Sequence, residues 1–584
     1  MILATLALYS MLHGGGTAPE AGELRTYDLQ ALLVPYRPDS EFQVLPVRGT
    51  PGGLEEREHF DAGLVIELVR SLCAPEFEYE GRSLLEHDGS LFVTAPPAVQ
   101  EKVAKIVGFL GNALGARTEL VVDELLLPDA LPRDPAPILA PEEAQKLLAS
   151  GAQHRSWRIA LRPGWAGSAV SQRLIRFVSD WNVEIAQGAA IHDPVIETVP
   201  IGDAIVCSGA AGPGGLWLAL LARGAESSGA KDHPLDFYAS VATETSPVGN
   251  PQPGSPNSRA SGRTLQAGPR LWQSVPLSMS ALALNTFLPD GKVLCVATTL
   301  GLPDQHGTRL LFVRRANAPG APVQGLALDP KAPGGRDLVL IDAGWLRPPF
   351  CTSEGDLRAG GALPTSRDEN QGGLQFQLHG ADTGRAHELL PESNVCDVFD
   401  SQAWLVIART QRTQEGGGVE AAVTRMGSGA PVPASCSAEL VLRKGTTVLV
   451  RSTLALRMGI SSTIVAGSED ELLDDWDVEV AQTASAADPI IRASFEGLCA
   501  RMRVDKDGAG ALILDVRAFG QVRSGELRNL DPQVPSVGTM SVGNWDRLGV
   551  EDRVTLPALA PQKALFGDSG GAGLVLEVTL GEQR

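Results

Sequence analysis

The sequence predicts a mainly β protein, in which a small α+β domain precedes two related β-rich units. Three observations predict this fold. Apolar residues follow helical spacing twice before residue 117, apolar and polar residues alternate along much of the later chain, and that later part repeats itself at a fixed offset. A chain of 584 residues also exceeds the usual length of a single domain.

The composition is that of a folded protein whose partners do not include nucleic acid. The chain is 43% hydrophobic and 20% charged, and its formal net charge is -20. Binding to phosphates requires clustered Lys and Arg, and no basic run occurs. The seven cysteines are scattered and never spaced as CxxC, so we predict no metal site, no disulfide framework and no cofactor.

The N-terminus predicts export. An apolar run from Ile2 to Leu12 is followed by small residues, as in a signal peptide that would span residues 1–20. The expected location is therefore the periplasm or the outer membrane rather than the cytoplasm. The alternative is a short buried strand or helix at the start of the fold.

Residues 21–117 predict an α+β domain with the order β-α-β-β-α. The stretch LRTYDLQALL suggests a strand, and GLVIELVRSLC at 63–73 has the spacing of an amphipathic helix. A hairpin is predicted to turn at Asp88 and Gly89, and PAVQEKVAKIVGFLGNAL at 97–114 suggests a second helix.

The strongest pattern is the internal repeat. DWNVEIAQGAAIHDPVI at 180–196 aligns without a gap with DWDVEVAQTASAADPII at 475–491, and 475 − 180 gives an offset of 295. Period-two alternation predicts strands, shared tryptophans predict core packing, and the Asp-Pro pairs predict turns. The shared residues that we take as structural markers are Trp181, Glu184, Gln187, Asp193, Pro194, Trp476, Glu479, Gln482, Asp488 and Pro489.

The repeat predicts one β unit over 118–325 and a second over 326–584. IALRPG at 159–164 matches LALRMG at 454–459 at the same offset. Two hairpins are predicted to turn at AGPGG and KDGAG, and EAQKLL at 143–148 suggests a short helix. ELVVDELLLP at 119–128 resembles DLVLIDAGWLRP at 337–348. The segments at about 228–270 and 351–445 are rich in small and polar residues and are predicted to be loops.

These stretches resemble the secretins, the channel proteins of bacterial type II and type III secretion systems. RTYDLQALL, the 63–73 helix and GSLFVTAPPAVQEKV are similar to the ring-building domains of that family. The repeats, with SVPLSMSALALNTFLPDGKVLCVATTL at 274–300 and VTLPALAPQKALFGDSGGAGLVLEVTL at 554–580, are similar to its C-terminal domain. The resemblance implies lateral assembly into rings.

The sequence also departs from the secretin pattern. Secretins carry one such C-terminal domain rather than two, and they follow it with a VP.LG.IP.LG.LF segment that neither unit has. We therefore predict a non-catalytic, secretin-like envelope protein. It would self-assemble, or dock onto envelope proteins of a type II/III secretion or pilus-type machine. The alternative is a genuine outer-membrane secretin channel.

One motif suggests an enzyme of another class. GDSGG at Gly567–Gly571 is the nucleophile motif of trypsin-like proteases, which would make Ser569 the nucleophile of a serine hydrolase. None of the nine histidines has the sequence context of the matching base. GDSGG is also expected to take the place that PDG, which has no serine, holds in the first unit at Pro289–Gly291. HELLP at 387–391 lacks the second histidine of a zinc motif. We predict no catalytic residue and no enzymatic activity.

Overall fold

The computed structural model describes the chain in segments, which cover most of the regions predicted to be ordered. The predicted signal peptide lies outside them. The described residues are 22–33, 35–36, 57–58, 60–115, 117–128, 135–150, 153–163, 165–186, 189–212, 214–241, 263–300, 307–316, 323–328, 337–342, 396–400, 404–409, 435–458, 460–481, 484–506, 511–530, 540–556, 562–567 and 573–582.

The N-terminal part is a three-stranded sheet, in the order β1-β5-β4, covered by two helices. Asp61 caps the first helix by accepting a hydrogen bond from the Leu64 amide at 2.7 Å. The predicted hairpin at Asp88 and Gly89 is confirmed, because both residues have positive φ (52° and 70°) between paired strands. The elements are β1 (Glu23–Asp28), β2 (Pro35–Tyr36), β3 (Arg57–Glu58), α1 (Ala62–Cys73), a 3-10 turn (Glu76–Glu78), β4 (Ser83–His87), β5 (Ser90–Ala95) and α2 (Pro97–Leu114).

The middle of the chain is mainly strands, with one short helix at the predicted EAQKLL segment. The elements are β6 (Thr118–Leu127), β7 (Ile138–Leu139), α3 (Pro141–Ala149), β8 (Gln153–Leu161), β9 (Gly167–Ala186), β10 (Ala189–Gly212), β11 (Gly215–Glu226), β12 (Lys231–Val241), β13 (Arg263–Ser274), β14 (Leu277–Pro289), β15 (Val293–Leu300), β16 (Gly307–Arg315), β17 (Val323–Leu326) and β18 (Leu338–Asp342).

The described remainder is β-structured. The elements are β19 (Cys396–Asp400), β20 (Trp404–Arg409), β21 (Ser435–Lys444), β22 (Thr447–Arg457), β23 (Ser462–Ala481), β24 (Ala484–Lys506), β25 (Leu512–Arg523), β26 (Arg528–Leu530), β27 (Met540–Val542), β28 (Trp545–Leu556), β29 (Gln562–Gly567) and β30 (Leu574–Glu582).

Two segments that were predicted to be loops contain strands. Residues 228–270 hold β12 and the start of β13, which pair antiparallel, and 351–445 hold β19, β20 and all of β21. Strands β17, β18, β20 and β19 form a small sheet whose apolar side chains, including Leu338 and Val406, share a core with α1 and α2. Composition did not predict these strands because they gain their partners only through long-range packing.

Strands β2 and β3 pair with each other, as do β26 and β27, and the other strands form two large sheets that face each other across one apolar core. The first sheet runs β13-β12-β24-β23-β14-β11-β10-β9, and β25 and β28 extend it beyond β24. The second runs β29-β30-β21-β22-β15-β16-β6-β8, with β7 beside β15. The similar segments at 119–128 and 337–348 do not take equivalent places, because β6 belongs to the second sheet and β18 to the small one. Strand β22 is the counterpart of β8, and the strand that pairs with it in the way β6 pairs with β8 is β21.

Eight strands of the first sheet form two four-stranded antiparallel meanders side by side. The first meander is β9-β10-β11-β14 and the second is β23-β24-β25-β28, and β14 pairs with β23 where they meet. One row of directly paired residues crosses all eight strands, and we call it the central row. It consists of Gln172, Gly202, Ala225, Met279, Gly467, Gly497, Gln521 and Arg547.

The long hairpins at the start of each meander have matching irregularities. In β9 the register shifts past Ser179, and in β23 it shifts past Asp474, which is 295 residues later. Gly202 and Gly497, also 295 apart, have φ of +117° and +147°. A Cβ on either glycine would clash with the opposing carbonyl, that of Ser171 or Ala466. A single irregular geometry is therefore present twice.

The Asp-Pro markers do not form turns, contrary to the prediction. Pro194 lies within β10 opposite Trp181, and Pro489 lies within β24 opposite Trp476. Among the described strands, each proline is in a stretch that is paired on one side only, so its missing N–H removes no second ladder hydrogen bond. The strands of the two long hairpins pair up to Ala186 with Ala189 and Ala481 with Ala484, beyond the Asp-Pro pairs. The β10–β11 and β24–β25 pairings confirm the two hairpins predicted around AGPGG and KDGAG.

Replacing Gly497 with alanine should destabilise the protein by about 2 kcal/mol or more. The new Cβ would meet the Ala466 carbonyl at a left-handed φ that costs a side chain about 1–3 kcal/mol. The midpoint of urea unfolding measures this cost. Gly549→Ala is the matched control, because a Cβ at Gly549 has open space. Equal effects of the two substitutions would contradict the strain at Gly497.

Candidate functional site

The marker residues lie in the two long hairpins. Trp181 and Trp476 are 9% and 8% exposed, as expected for core packing. Each tryptophan amide donates a hydrogen bond of 2.8 Å to the preceding aspartate, Asp180 or Asp475. Glu184 and Glu479 belong to β9 and β23, Asp193 and Asp488 lie opposite Asn182 and Asp477, and Gln187 and Gln482 lie outside the described residues.

The hairpins of the two meanders approach each other at Asp180. The pKa of Asp180 is raised to about 6, chiefly by burial. The hydrogen bond from Trp181 opposes this shift, and the nearby carboxylates of Asp488 and Glu197 add to it. Trp181 also donates from its ring nitrogen to the Leu271 carbonyl at 3.1 Å, so β13 is held against β9. A carboxyl group in β9 is therefore placed beside one in β24.

A buried polar cluster connects the two sheets within the first unit. Arg309 of β16 is 1% exposed, and its Nε donates to Glu124 of β6 at 2.5 Å. Its terminal nitrogens reach into the facing sheet, where they donate to Asp203 at 3.3 Å and to the Ser280 hydroxyl at 3.2 Å. Arg155 forms a further ion pair with Asp203. We call Arg309, Glu124, Asp203 and Ser280 the inter-sheet cluster.

The cluster depends on a close approach of backbone and side chain. The guanidinium of Arg309 lies against Gly224 of β11, where a Cβ would meet its central carbon at 2.7 Å. Burial raises the pKa of Glu124, an effect that the attraction of Arg309 opposes and the Asp203 carboxylate reinforces. The cluster therefore holds charges that are costly to leave unpaired.

The second unit has apolar residues in the same places. The strand pairings, followed outward from the matched hairpins, make Gly520 the counterpart of Gly224. Gly224 pairs with Asp203 and Ser280. Gly520 pairs with Leu498 and Leu548 in the same places. The equivalents of Arg309 and Glu124 are Leu574 and Leu442, because β30 and β21 hold the places of β16 and β6. All four leucines are buried in the shared core. The cluster is therefore a property of the first unit alone.

A cavity of about 520 Å³ opens beside the cluster. Arg309, Asp203 and Arg155 line one side of it, and Ser171 to Arg173 of β9 line another. The cavity therefore lies at the edge strand of the first sheet. We did not predict these residues from the sequence. The usable signal was a charge at a core-facing position of an otherwise apolar strand, as with Arg309 in GTRLLFVRR.

The catalytic candidates do not come together among the described residues. Ser569 and HELLP lie outside them, and no group of three or more His, Cys, Asp or Glu side chains there has metal-binding geometry. His192, whose neighbour Asp193 suggests an acid–base pair in the sequence, lies in β10 opposite Val183, and burial together with Arg270 lowers its pKa. GDSGG does not take the place of PDG, contrary to the expectation. PDG begins at the end of β14 and leads into β15, whereas Gly567 ends β29, the counterpart of β15.

Comparisons with known proteins give weak neighbours only. No protein-family model and no curated protein matches the chain. The secretin-domain β-barrel of InvG from the Salmonella SPI-1 injectisome is 13% identical with a TM-score of 0.17, covering 50% of this chain and 86% of that one. The ETEC pilotin–secretin complex AspS–GspD is 9% identical with a TM-score of 0.11, covering 93% and 88%. Both TM-scores are too low to define the fold of this chain. Separately, none of the helices in the described segments has the length and apolarity needed to span a membrane.

Replacing Arg309 with methionine should cost about 3–5 kcal/mol of folding free energy, because it leaves buried carboxylates without their cation. Since burial raises the pKa of Glu124, the folded state binds that proton more tightly than the unfolded state, and stability falls as pH rises. The loss in Arg309→Met should therefore be larger at pH 8 than at pH 5. Urea unfolding at both values measures it.

Two further variants test the cause of that loss. Arg158→Met removes the exposed pair with Glu119, at 2.9 Å, and should cost less than about 1 kcal/mol. Adding Glu124→Gln to Arg309→Met should recover stability at pH 8. A loss independent of pH and not relieved by Glu124→Gln would contradict the role assigned to the buried carboxylate.

Asp180→Asn should raise the unfolding temperature at pH 7.5 and change it little at pH 4. The folded-state pKa of about 6 lies above the ordinary value of 3.8, so the carboxyl group destabilises the fold as pH rises between these values. Asparagine keeps the acceptor for the Trp181 amide. Asp475→Asn, at the exposed equivalent position with the same hydrogen bond to Trp476, is the control and should have little effect at either pH.

Proposed function

We propose that this chain is a non-catalytic, secretin-like scaffold of the bacterial envelope that assembles with copies of itself. The observation that carries the proposal is the tandem of meanders. Two equivalent four-stranded units join by ordinary strand pairing at β14 and β23, and the outer strands of the same sheet, β9 and β28, each pair on one side only among the described residues. Because one unit already pairs with an equivalent unit through its edge strand, the remaining edge strands are suited to pair in the same way with another copy.

We also propose that the two units arose by duplication. Support comes from the common offset of 295 in the hairpins, the matched register shifts at Ser179 and Asp474, and the matched positive-φ glycines Gly202 and Gly497. Duplication would make the β14–β23 contact a covalently linked version of a contact between separate subunits.

The assignment to the envelope and to a secretion or pilus-type machine is supported by the sequence resemblance and by the apolar N-terminal segment. The α+β part before the meanders has the element order of a ring-building domain. Its helices are covered by the small β17–β20 sheet, so its remaining lateral surfaces are the ones available to neighbours.

Light scattering on the purified full chain, together with cell fractionation, tests the proposal. We expect a defined mass that is a multiple of 61.4 kDa, recovered from the envelope fraction. A protein that remains a 61.4 kDa monomer at every concentration, or that stays in the cytoplasm, would overturn it. A heat-resistant multimer in the outer membrane would favour a secretin channel within the same proposal.

A serine-reactive fluorophosphonate probe tests the enzymatic alternative. We expect no labelling of the folded chain at Ser569, and the same result for Ser569→Ala. Labelling that disappears in Ser569→Ala would instead identify a serine hydrolase and contradict a purely structural role.

A further inference from the structure

Among the described residues, both large sheets have outer strands that pair on one side only, at matching ends of the molecule. In the first sheet β9 pairs with β10 alone and β28 with β25 alone, while β13, which pairs with β12 alone, contacts β9 at Val178 and Trp181. In the second sheet β8 pairs with β6 alone and β29 with β30 alone. Strands β8 and β9 follow one another in the chain, as do β28 and β29, so each end of the molecule presents two open edges.

We propose that a second copy of this chain docks head to tail on these edges, with β28 of one copy pairing antiparallel with β9 of the next. The inference rests on the proposed self-assembly and specifies its interface. The template is the β14–β23 junction, because β28 holds the place of β14 in the second meander and β9 holds the place of β23 in the first.

The central row gives the register of the contact. Within the chain, Met279 at the end of the first half of the row pairs with Gly467 at the start of the second half. Arg547 ends the second half of the row and Gln172 begins the first half, so an equivalent contact between copies pairs Arg547 with Gln172 of a second copy. Within the chain, Leu277–Ala283 pairs with Thr463–Glu469 over seven residues. The equivalent contact between copies pairs Trp545–Glu551 of one copy with Ser168–Leu174 of the next.

In this register the core-facing side chains of β28 and of β9 lie on the same face of the extended sheet. Val550 falls opposite Ala169 of the second copy, and both side chains already pack partly against the inter-sheet core. Their equivalents at the junction are Leu282 and Ile464, which are buried in that same core. A register shifted by one residue would turn one strand's apolar residues to the wrong face.

Apolar side chains of β9 are exposed in the single chain, which supports the docking of a second copy on this strand. Val170 is 38% exposed, whereas its junction equivalent Val465 is 2% exposed beneath β14. Leu174, the last residue of the docking segment 168–174 in β9, is 65% exposed. A strand laid along β9 would cover these side chains, and it would lie beside the cavity that Ser171 to Arg173 line.

The charges of the two edges are compatible with direct pairing. Asp546 of β28, which already pairs with Lys444 of its own chain at 2.6 Å, falls opposite Arg173 of the second copy. Such opposite charges on neighbouring strands are stabilising. At the internal junction the equivalent residues are the uncharged Ser278 and Ser468. The edge between copies therefore has a charge pair that the covalently linked junction does not have.

The second sheet extends in the same direction. Its two halves meet where β15 pairs with β22 through Ala297 and Thr298, and the equivalents of these strands at the open ends are β29 and β8. Both layers would therefore continue from one copy to the next. Because the two docking surfaces differ, the contact is heterologous, and repeated contacts generate a closed ring or an open filament.

Cysteine cross-linking in the full chain tests both the edges and the register. Val170 and Gly549 lie directly opposite in the proposed pairing, and a Cβ at Gly549 has open space. Under mild oxidation, Val170→Cys with Gly549→Cys should give a reducible ladder of covalent multimers. Leu174→Cys with Gly549→Cys is the control, because four residues of strand separate the sites by about 13 Å, beyond the reach of a disulfide.

Mixing single variants tests the head-to-tail direction. Val170→Cys alone and Gly549→Cys alone should give no covalent dimer beyond wild type, whereas their mixture should give dimers and no longer ladder. Dimers of Val170→Cys alone would show a two-fold contact between β9 edges and overturn the proposal. A large assembly by light scattering without the ladder would overturn this interface and leave self-assembly standing, whereas a monomer would overturn both.

Discussion

Main-chain hydrogen bonding between β14 and β23 makes one sheet out of two meanders, and the rest of the architecture depends on it. Seven residue pairs connect the halves there, whereas β12 and β24 contribute three in the same sheet and β15 and β22 contribute two in the second sheet. Backbone pairing uses no particular side chains, so it can be reused wherever an equivalent edge is open. The same contact that holds the chain together thus defines the geometry by which copies could join.

The two units satisfy the same backbone with different interiors. Arg309, Glu124, Asp203 and Ser280 occupy the space between the sheets in the first unit, and four leucines occupy it in the second. Leucines contribute through burial alone, whereas the charged set requires every partner in place. The polar version lies beside the cavity at the β9 edge, the end of the molecule where the first unit has no neighbour.

Sequence reasoning was most successful where the signal was local. The α1 and α2 helices, the Asp88–Gly89 turn and the hairpins at AGPGG and KDGAG lie where spacing and turn residues placed them. It failed for Pro194 and Pro489, because turn propensity ignores that a strand paired on one side tolerates proline. It also missed β17 to β20, whose cohesion comes from packing on distant helices.

The sequence by itself determined that the chain is mainly β and that two hairpins share one pattern at an offset of 295, because periodicity and self-similarity are carried by neighbouring residues. Only the tertiary structure decided which strands became neighbours and which edges stayed open. It also brought Arg309 to Glu124 across 185 positions of sequence. Strand order and buried charge pairing are set by long-range contacts, for which a single sequence contains no local signal.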